Sequence, residues 1–218
     1  MIEKRGKKML PEKVAYWFFR INGCLTIENF VIHPEKREEG SSQITDADLL
    51  AVRFPYRAEF GLSGEPMKDH PIFQSYGKID LIIAEIKSGL CRLNGPWIKC
   101  DRRSMQRVLY AMGVFPKEEI DTVADSLYKS AYYSNAQTQV RLFALGRQKN
   151  NNLPDAVVQL TWEEVLNFLH DRFRTYQKKK AHHPQWDSVG QELFKRATRL
   201  RESEKFVKEI IELMRIVT

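Results

Sequence analysis

The stretch Ile79-Asp80-Leu81-Ile82-Ile83-Ala84-Glu85-Ile86-Lys87-Ser88-Gly89 limits what this chain can fold into more than any other. It is an apolar, β-branched run that ends in a glutamate and a lysine two residues apart. Side chains on a strand alternate with period two, so Glu85 and Lys87 project from one face. An acid and an amine at the end of a hydrophobic strand are costly unless they pair or hold a metal ion. A second charged feature lies upstream in Asp46-Ala47-Asp48-Leu49-Leu50-Ala51-Val52-Arg53, where an acidic residue opens another short apolar run.

An Asp on one strand and a Glu-x-Lys on the next is an arrangement suited to a hard divalent cation, which takes oxygen ligands and keeps several waters. The carboxylates of Asp48 and Glu85, with the backbone carbonyl of Ile86, supply such ligands, and Lys87 stands beside them to orient a water or steady developing charge. Asp48 followed by Glu85-Ile86-Lys87 resembles the PD-(D/E)XK nuclease superfamily, the restriction-endonuclease-like fold. The resemblance covers roughly residues 11 to 112. It implies an α/β (α+β) core of helix, three strands, helix and strand with a mixed sheet. It also implies a Mg²⁺- or Mn²⁺-dependent deoxyribonuclease with Asp48, Glu85 and Lys87 catalytic and Asp48, Glu85 and Ile86 holding the metal. The 36 residues between Asp48 and Glu85 exceed a tight hairpin, so an inserted loop is expected. Read without the resemblance, Glu85 and Lys87 are a surface pair on an edge strand, worth under about 1 kcal/mol.

The chain is long enough, at 218 residues and 43% hydrophobic, to bury one substantial core with a helical appendage. The expected division is a nuclease-like core over residues 1–150 and a helical extension over 151–218. A net charge of +7 and a pI near 9.3 favour a polyanionic partner, which the resemblance implies is nucleic acid, DNA in the first place. Cys24, Cys91 and Cys100 have no metal-ligand spacing and read as reduced thiols of a soluble cytoplasmic protein. The segment Met1 to Lys8 leads into no signal-peptide core, and no apolar run reaches membrane-spanning length.

Pro11 and the apolar positions Val14, Trp17, Phe18 and Ile21 predict a first helix ending near Asn22-Gly23. Strands are expected over Leu25–Ile32, Ala47–Phe54, Ile79–Lys87, Gln137–Leu145 and Ala156–Leu160. Glu35–Ser42 reads as a loop and Pro55–Lys78 as a long excursion. Helices are expected around Met105–Met112, stopped by Gly113, and after Pro116. Thr161-Trp162-Glu163-Glu164 fits a capping box that opens a helix to about Phe173. The apolar residues from Val189 to Met214 predict one final helix of about 30 residues after Pro184, docked on the domain or pairing with a second copy or a partner protein.

Several residues are possible accessories. Asp46 shares the parity of Asp48, Asp80 has parity opposite to Glu85 and starts its strand, and the resemblance implies that Glu12 or Glu28, from the first helix or its following strand, can lend an extra acid. Gln106-Arg107-Val108-Leu109-Tyr110 resembles the Gln-xxx-Tyr motif of RecB-type nuclease domains, and its spacing puts Gln106 and Tyr110 on one helical face. Two basic clusters offer phosphate contacts: Lys99, Arg102, Arg103 and Arg107, and Arg172, Arg174, Lys178, Lys179 and Lys180. His182-His183 lacks a Cys or His partner at zinc spacing. Trp17, Trp97 and Trp162 read as core. Besides the nuclease, the sequence admits a catalytically silent nucleic-acid-binding or assembly module of the same fold, or a basic scaffold whose acids are incidental.

Overall fold

The computed structural model describes residues 9–33, 45–59, 64–74, 77–100, 103–181 and 187–215. The termini, the Glu35–Ser42 segment, Arg102 and the His182-His183-Pro184 segment lie outside the described residues. The elements are α1 (Pro11–Ile21), β1 (Leu25–Ile32), β2 (Thr45–Arg53), β3 (Ile79–Ile86), α2 (Ser104–Met112), α3 (Ile120–Ser130), β4 (Tyr132–Ser134), β5 (Thr138–Gly146), β6 (Val158–Thr161), α4 (Trp162–Thr175), α5 (Gln177–Lys180), α6 (Ser188–Arg199) and α7 (Ser203–Arg215). Among the described residues these form a mixed α/β protein with a six-stranded mixed sheet.

The sheet begins as an antiparallel meander, β1 against β2 and β2 against β3. β5 then lies parallel to β3, the geometry a helical crossover permits, and α2 and α3 provide that crossover. The outer edge of β5 is shared by β4, antiparallel, and β6, parallel. A division near residue 150 falls between β5 and β6, which pair within the same sheet.

Helices cover both faces, so the central strands are buried on both sides. On one face Ile82, Ala84, Ile86, Phe143 and Leu145 pack with α1, α4, α6 and α7, around Phe18, Phe19, Leu169 and Phe206. On the other, Leu81, Ile83, Val140, Leu142 and Ala144 pack with α2 and α3, around Trp97, Leu109 and Val123. This explains why Arg141 and Phe143, which alternate with apolar neighbours in the sequence, are buried as well.

Two expectations are corrected. The single helix after Pro184 is two helices, because the chain becomes extended at Leu200 before α7 begins. A continuous helix of that length would run about 45 Å. Breaking it lets both halves return to α4, and Leu193, Ala197, Phe206, Ile210 and Met214 are consumed within the chain. The break is fastened by His170, whose Nε2 lies 2.8 Å from the Leu200 carbonyl. Gly190 lets α6 cross directly over Trp17, whose ring occupies the space a Cβ would need.

The second correction concerns the basic run after Arg172. Arg172 and Lys180 are buried and bind the Pro55–Lys78 excursion instead of facing solvent. Lys180 donates to Glu59 at 2.5 Å, Arg53 to Asp69 at 2.7 Å and Arg57 to Asp69 at 3.0 Å, while Arg172 donates to the Lys68 carbonyl. The excursion is thereby closed by charge, with Phe73 anchored in the core. Asp80 stands at the start of β3, on the face opposite Glu85, and is fully buried against Arg141. No helix of the described residues is long and apolar enough to cross a membrane.

Candidate metal and catalytic site

The site lies where β2 and β3 part. Their pairing runs from Arg53 opposite Asp80 to Leu49 opposite Ala84, so Asp48 and Glu85 stand next in register. Past that point a side chain replaces the backbone partner: Asp48 Oδ2 accepts the Ile86 N–H at 2.6 Å. The N–H and C=O of one strand residue point to the same side, so the Ile86 carbonyl faces the same gap.

Lys87 joins the two acids. Its Nζ donates to Glu85 Oε2 at 2.6 Å and to Asp48 Oδ2 at 3.1 Å. Its backbone is pinned from two directions: the N–H donates to Leu145 O at 2.9 Å, and its carbonyl accepts Trp162 Nε1 at 3.0 Å. Glu85 is 0% exposed, and its second oxygen accepts Trp97 Nε1 at 2.5 Å. Trp162 takes its place because the capping box does form, with Thr161 and Glu164 exchanging hydrogen bonds at the start of α4.

Burial, reinforced by the charge of Asp48, pushes the Glu85 carboxyl up to about 7, against the pull of Lys87 and Trp97. For Lys87 burial works downward, but the hydrogen bond to Glu85 and the charges of both acids outweigh it, so its pKa is raised. At neutral pH it is an ammonium.

The Glu85 shift has a consequence for the metal-free protein. An acid whose folded pKa lies above its ordinary 4.5 binds more protons folded than unfolded, so stability falls as pH rises from about 4.5 to 7. Full ionisation of a buried Glu85 opposes folding on the order of 3 kcal/mol. In urea unfolding without divalent ions, wild type should therefore lose stability relative to Glu85→Gln between pH 5 and pH 8. Parallel pH profiles for the two proteins would show that Glu85 keeps its ordinary pKa.

The other sequence candidates fall in different places. Asp46 does not share the face of Asp48. Asn29, directly across from Asp48 in register, has φ of 50°, the left-handed region that asparagine tolerates. Alternation breaks there in both strands. Leu49 packs in the α1 cluster, whereas Ala47 and Phe30 pack in the α2 cluster. Beyond the break Asp46 therefore turns to the opposite face. Glu28, opposite Leu49, faces α1 and pairs with Lys13. Glu12 is in the first turn of α1, next to Pro11, which lines a small cleft of about 370 Å³ with Ser88, Arg147 and Trp162. The N-terminus of α1 thus lies at the Lys87 end of the sheet, but no third acid, histidine or cysteine completes a cation-binding group among the described residues.

Gln106 and Tyr110 share one face of α2 but make no hydrogen bond to Lys87; Trp97 supports Glu85 instead. They line a cleft of about 570 Å³ between the end of β1 and α2–α3, together with Arg103 and Arg107. Arg103 pairs with Asp121 at 2.8 Å, Arg107 donates to the His33 carbonyl at 3.3 Å, and Lys99 is exposed.

In comparisons with known proteins, no family model, no curated protein and no solved structure matches the chain. The geometry alone carries the functional reading.

The residues present fit a cation that keeps most of its water. Asp48 and Glu85 both reach one point, the Lys87 ammonium, and Asp48 Oδ1 has no hydrogen-bond partner among the described residues. Two carboxylates and one carbonyl are few ligands, which suits Mg²⁺ and does not suit Ca²⁺ or Zn²⁺. Trp97 and Trp162 are the contributors that sequence reading assigned to the core. Their signal was chemical: a buried indole N–H needs an acceptor, and the end of β3 supplies two.

Proposed function

We propose that the protein is a divalent-metal-dependent nuclease that hydrolyses phosphodiester bonds in DNA. The observation that carries this reading is the convergence of Asp48, Glu85 and Lys87, with one ammonium 3.1 and 2.6 Å from the two carboxylates. Further support comes from the element order. A helix, three meandering strands, crossover helices and a parallel strand, with the Asp on the second strand and the Glu-x-Lys on the third, is the order implied by the PD-(D/E)XK resemblance.

On this reading Asp48, Glu85 and the Ile86 carbonyl hold Mg²⁺ or Mn²⁺. The bound ion supplies a Lewis acid for the phosphoryl oxygen and lowers the pKa of a coordinated water. Lys87, protonated and fixed at both its backbone and its head, presents positive charge where negative charge develops on the phosphate. Trp97 holds the Glu85 carboxylate in one orientation, and the two acids remove the need for Lys87 to reorganise during reaction. Arg103, Arg107 and Lys117 along the neighbouring cleft attract the phosphate backbone without reading sequence.

The test has two arms. Linear and circular, single- and double-stranded DNA are incubated with Mg²⁺ or Mn²⁺, and ion binding is measured by titration calorimetry. Cleavage that disappears in Asp48→Ala, together with the heat of ion binding, is the expected result. Ion binding of equal strength in wild type and Asp48→Ala would place any cation elsewhere and end the reading.

A further inference from the structure

The cleft beside the site carries an inference of its own, one that rests on the nuclease reading and deepens it. Its floor is Gln106, which is 8% exposed; its Oε1 is buried with no hydrogen-bond partner among the described residues. An unmet buried acceptor costs about 1–3 kcal/mol and is normally satisfied. Gln106 lines the cleft, and a turn of its side chain toward the opening would present Oε1 to a ligand's N–H donor.

The walls are of a different kind. Phe30, Ile32 and Ile120 give apolar surface, and Tyr110, 64% exposed, stands one turn beyond Gln106 at the rim. Phe30 reaches this side because the left-handed turn at Asn29 reverses the alternation of β1. Arg103, Arg107 and Lys117 add three cationic groups to the lining against one acid, Asp121, which pairs with Arg103 at 2.8 Å. A volume of about 570 Å³ falls within the range of small-ligand sites. The cross-strand partner of Phe30 is Ala47, one residue from Asp48, or roughly 3.4 Å along the strand.

An aromatic wall, a buried acceptor and a cationic lining together match one chemistry: a flat heterocycle with an N–H edge attached to phosphate. We propose that this cleft is a nucleotide subsite that seats one unstacked base of the nucleic acid, with Gln106 Oε1 accepting from the base edge. Phe30 and Tyr110 flank the base, and Arg103, Arg107 and Lys117 hold the adjoining phosphates. The base enters only from a single strand or an opened duplex, so the substrate class is DNA with unpaired nucleotides next to the scissile bond. In a duplex the base edges and faces are engaged by pairing and stacking, and the cleft stays unfilled.

The experiment uses the full chain in chelator, so that no turnover occurs. The probes are a fluorescent single-stranded oligothymidylate and its twin with an abasic tetrahydrofuran in place of every base, identical in phosphate count. Fluorescence anisotropy should give about tenfold tighter binding for the base-bearing strand, the scale of one base stacked on an aromatic side chain. Tyr110→Ala, whose exposed side chain is not needed for folding, should lose most of that preference while keeping affinity for the abasic strand. Gln106→Leu should reduce the preference as well. Equal binding of the two strands by wild type, or a preference untouched by Tyr110→Ala, would overturn the subsite. Failure to bind either strand would overturn it too. DNA that is cut with Mg²⁺ but bound no better than its abasic twin removes the subsite and leaves the nuclease reading. Base-dependent binding without any cleavage does the reverse.

Discussion

Lys87→Ala should lower the rate of Mg²⁺-supported DNA cleavage by roughly 10²–10⁴-fold while changing DNA affinity little. The asymmetry follows from where each energy arises. On the proposed reading, affinity would be the sum of many phosphate contacts, whereas Lys87 would act at one atom and on charge that appears only in the transition state. Two routes lead to the loss, and pH separates them. Removing the ammonium takes away positive charge at the phosphate directly. It also takes away the partner that pulls the Glu85 carboxyl down, so Glu85 holds its proton to higher pH than in wild type. If the lysine serves mainly to keep Glu85 ionised, cleavage by Lys87→Ala should recover as pH rises toward 9. If it serves the transition state, the deficit should persist across that range. Initial rates on a labelled DNA at several pH values, with binding measured in parallel, read both quantities. Equal rates for Lys87→Ala and wild type would remove Lys87 from the reaction.

The residues of this site could be read from sequence because their chemistry conflicts with their setting. Glu85 and Lys87 interrupt an apolar strand, and period-two alternation alone brings them to one face. Asp48 could be paired with them because it opens the next apolar run upstream. Asp46 was misplaced by the same rule, since alternation holds only while both strands stay regular. The irregularity arises at Asn29, in the partner strand, where asparagine is the one hint of a left-handed residue. No inspection of β2 by itself shows that its register of faces changes between Ala47 and Leu49.

The charge runs show a second limit. Arg172 and Lys180 look like residues of a solvated helix face when read alone. Their partners, Glu59 and Asp69, sit more than a hundred residues earlier in a Pro- and Gly-punctuated excursion. Pairing at that separation is set by the tertiary fold, and only the fold decides whether such a run is solvated or buried. The last helices differ in a related way. The amphipathic stripe from Val189 to Met214 was legible, but the extended residue at Leu200 answers to His170 on α4, which local periodicity does not register.

Asp80 and Arg141 supply the largest expected effect on stability. Asp80 is fully buried, and Arg141 grips it with two parallel N–H donors, Nε to Oδ1 at 2.9 Å and Nη2 to Oδ2. The third contact, Nη1 to the Ile72 carbonyl at 2.9 Å, ties the pair to the Pro55–Lys78 excursion, and the guanidinium lies 4.9 Å from the Phe143 ring centroid. Such a pair adds little net stability over a well-packed apolar one, because desolvating both charges offsets their attraction. Breaking it is different. Asp80→Ala leaves a guanidinium in the apolar layer between β3, β5 and α1 with no carboxylate, and should destabilise the protein by about 3–5 kcal/mol in urea unfolding. Arg141→Met alone strands the carboxylate and should cost a similar amount. Asp80→Ala with Arg141→Met removes both charges, so the double variant should be more stable than the sum of the single losses by at least about 2 kcal/mol. The pair is on the face opposite Glu85, so single-variant losses that simply add would mean that the two side chains do not interact across β3 and β5. Coupling of the expected size would instead show that Asp80 is held for the fold, by Arg141.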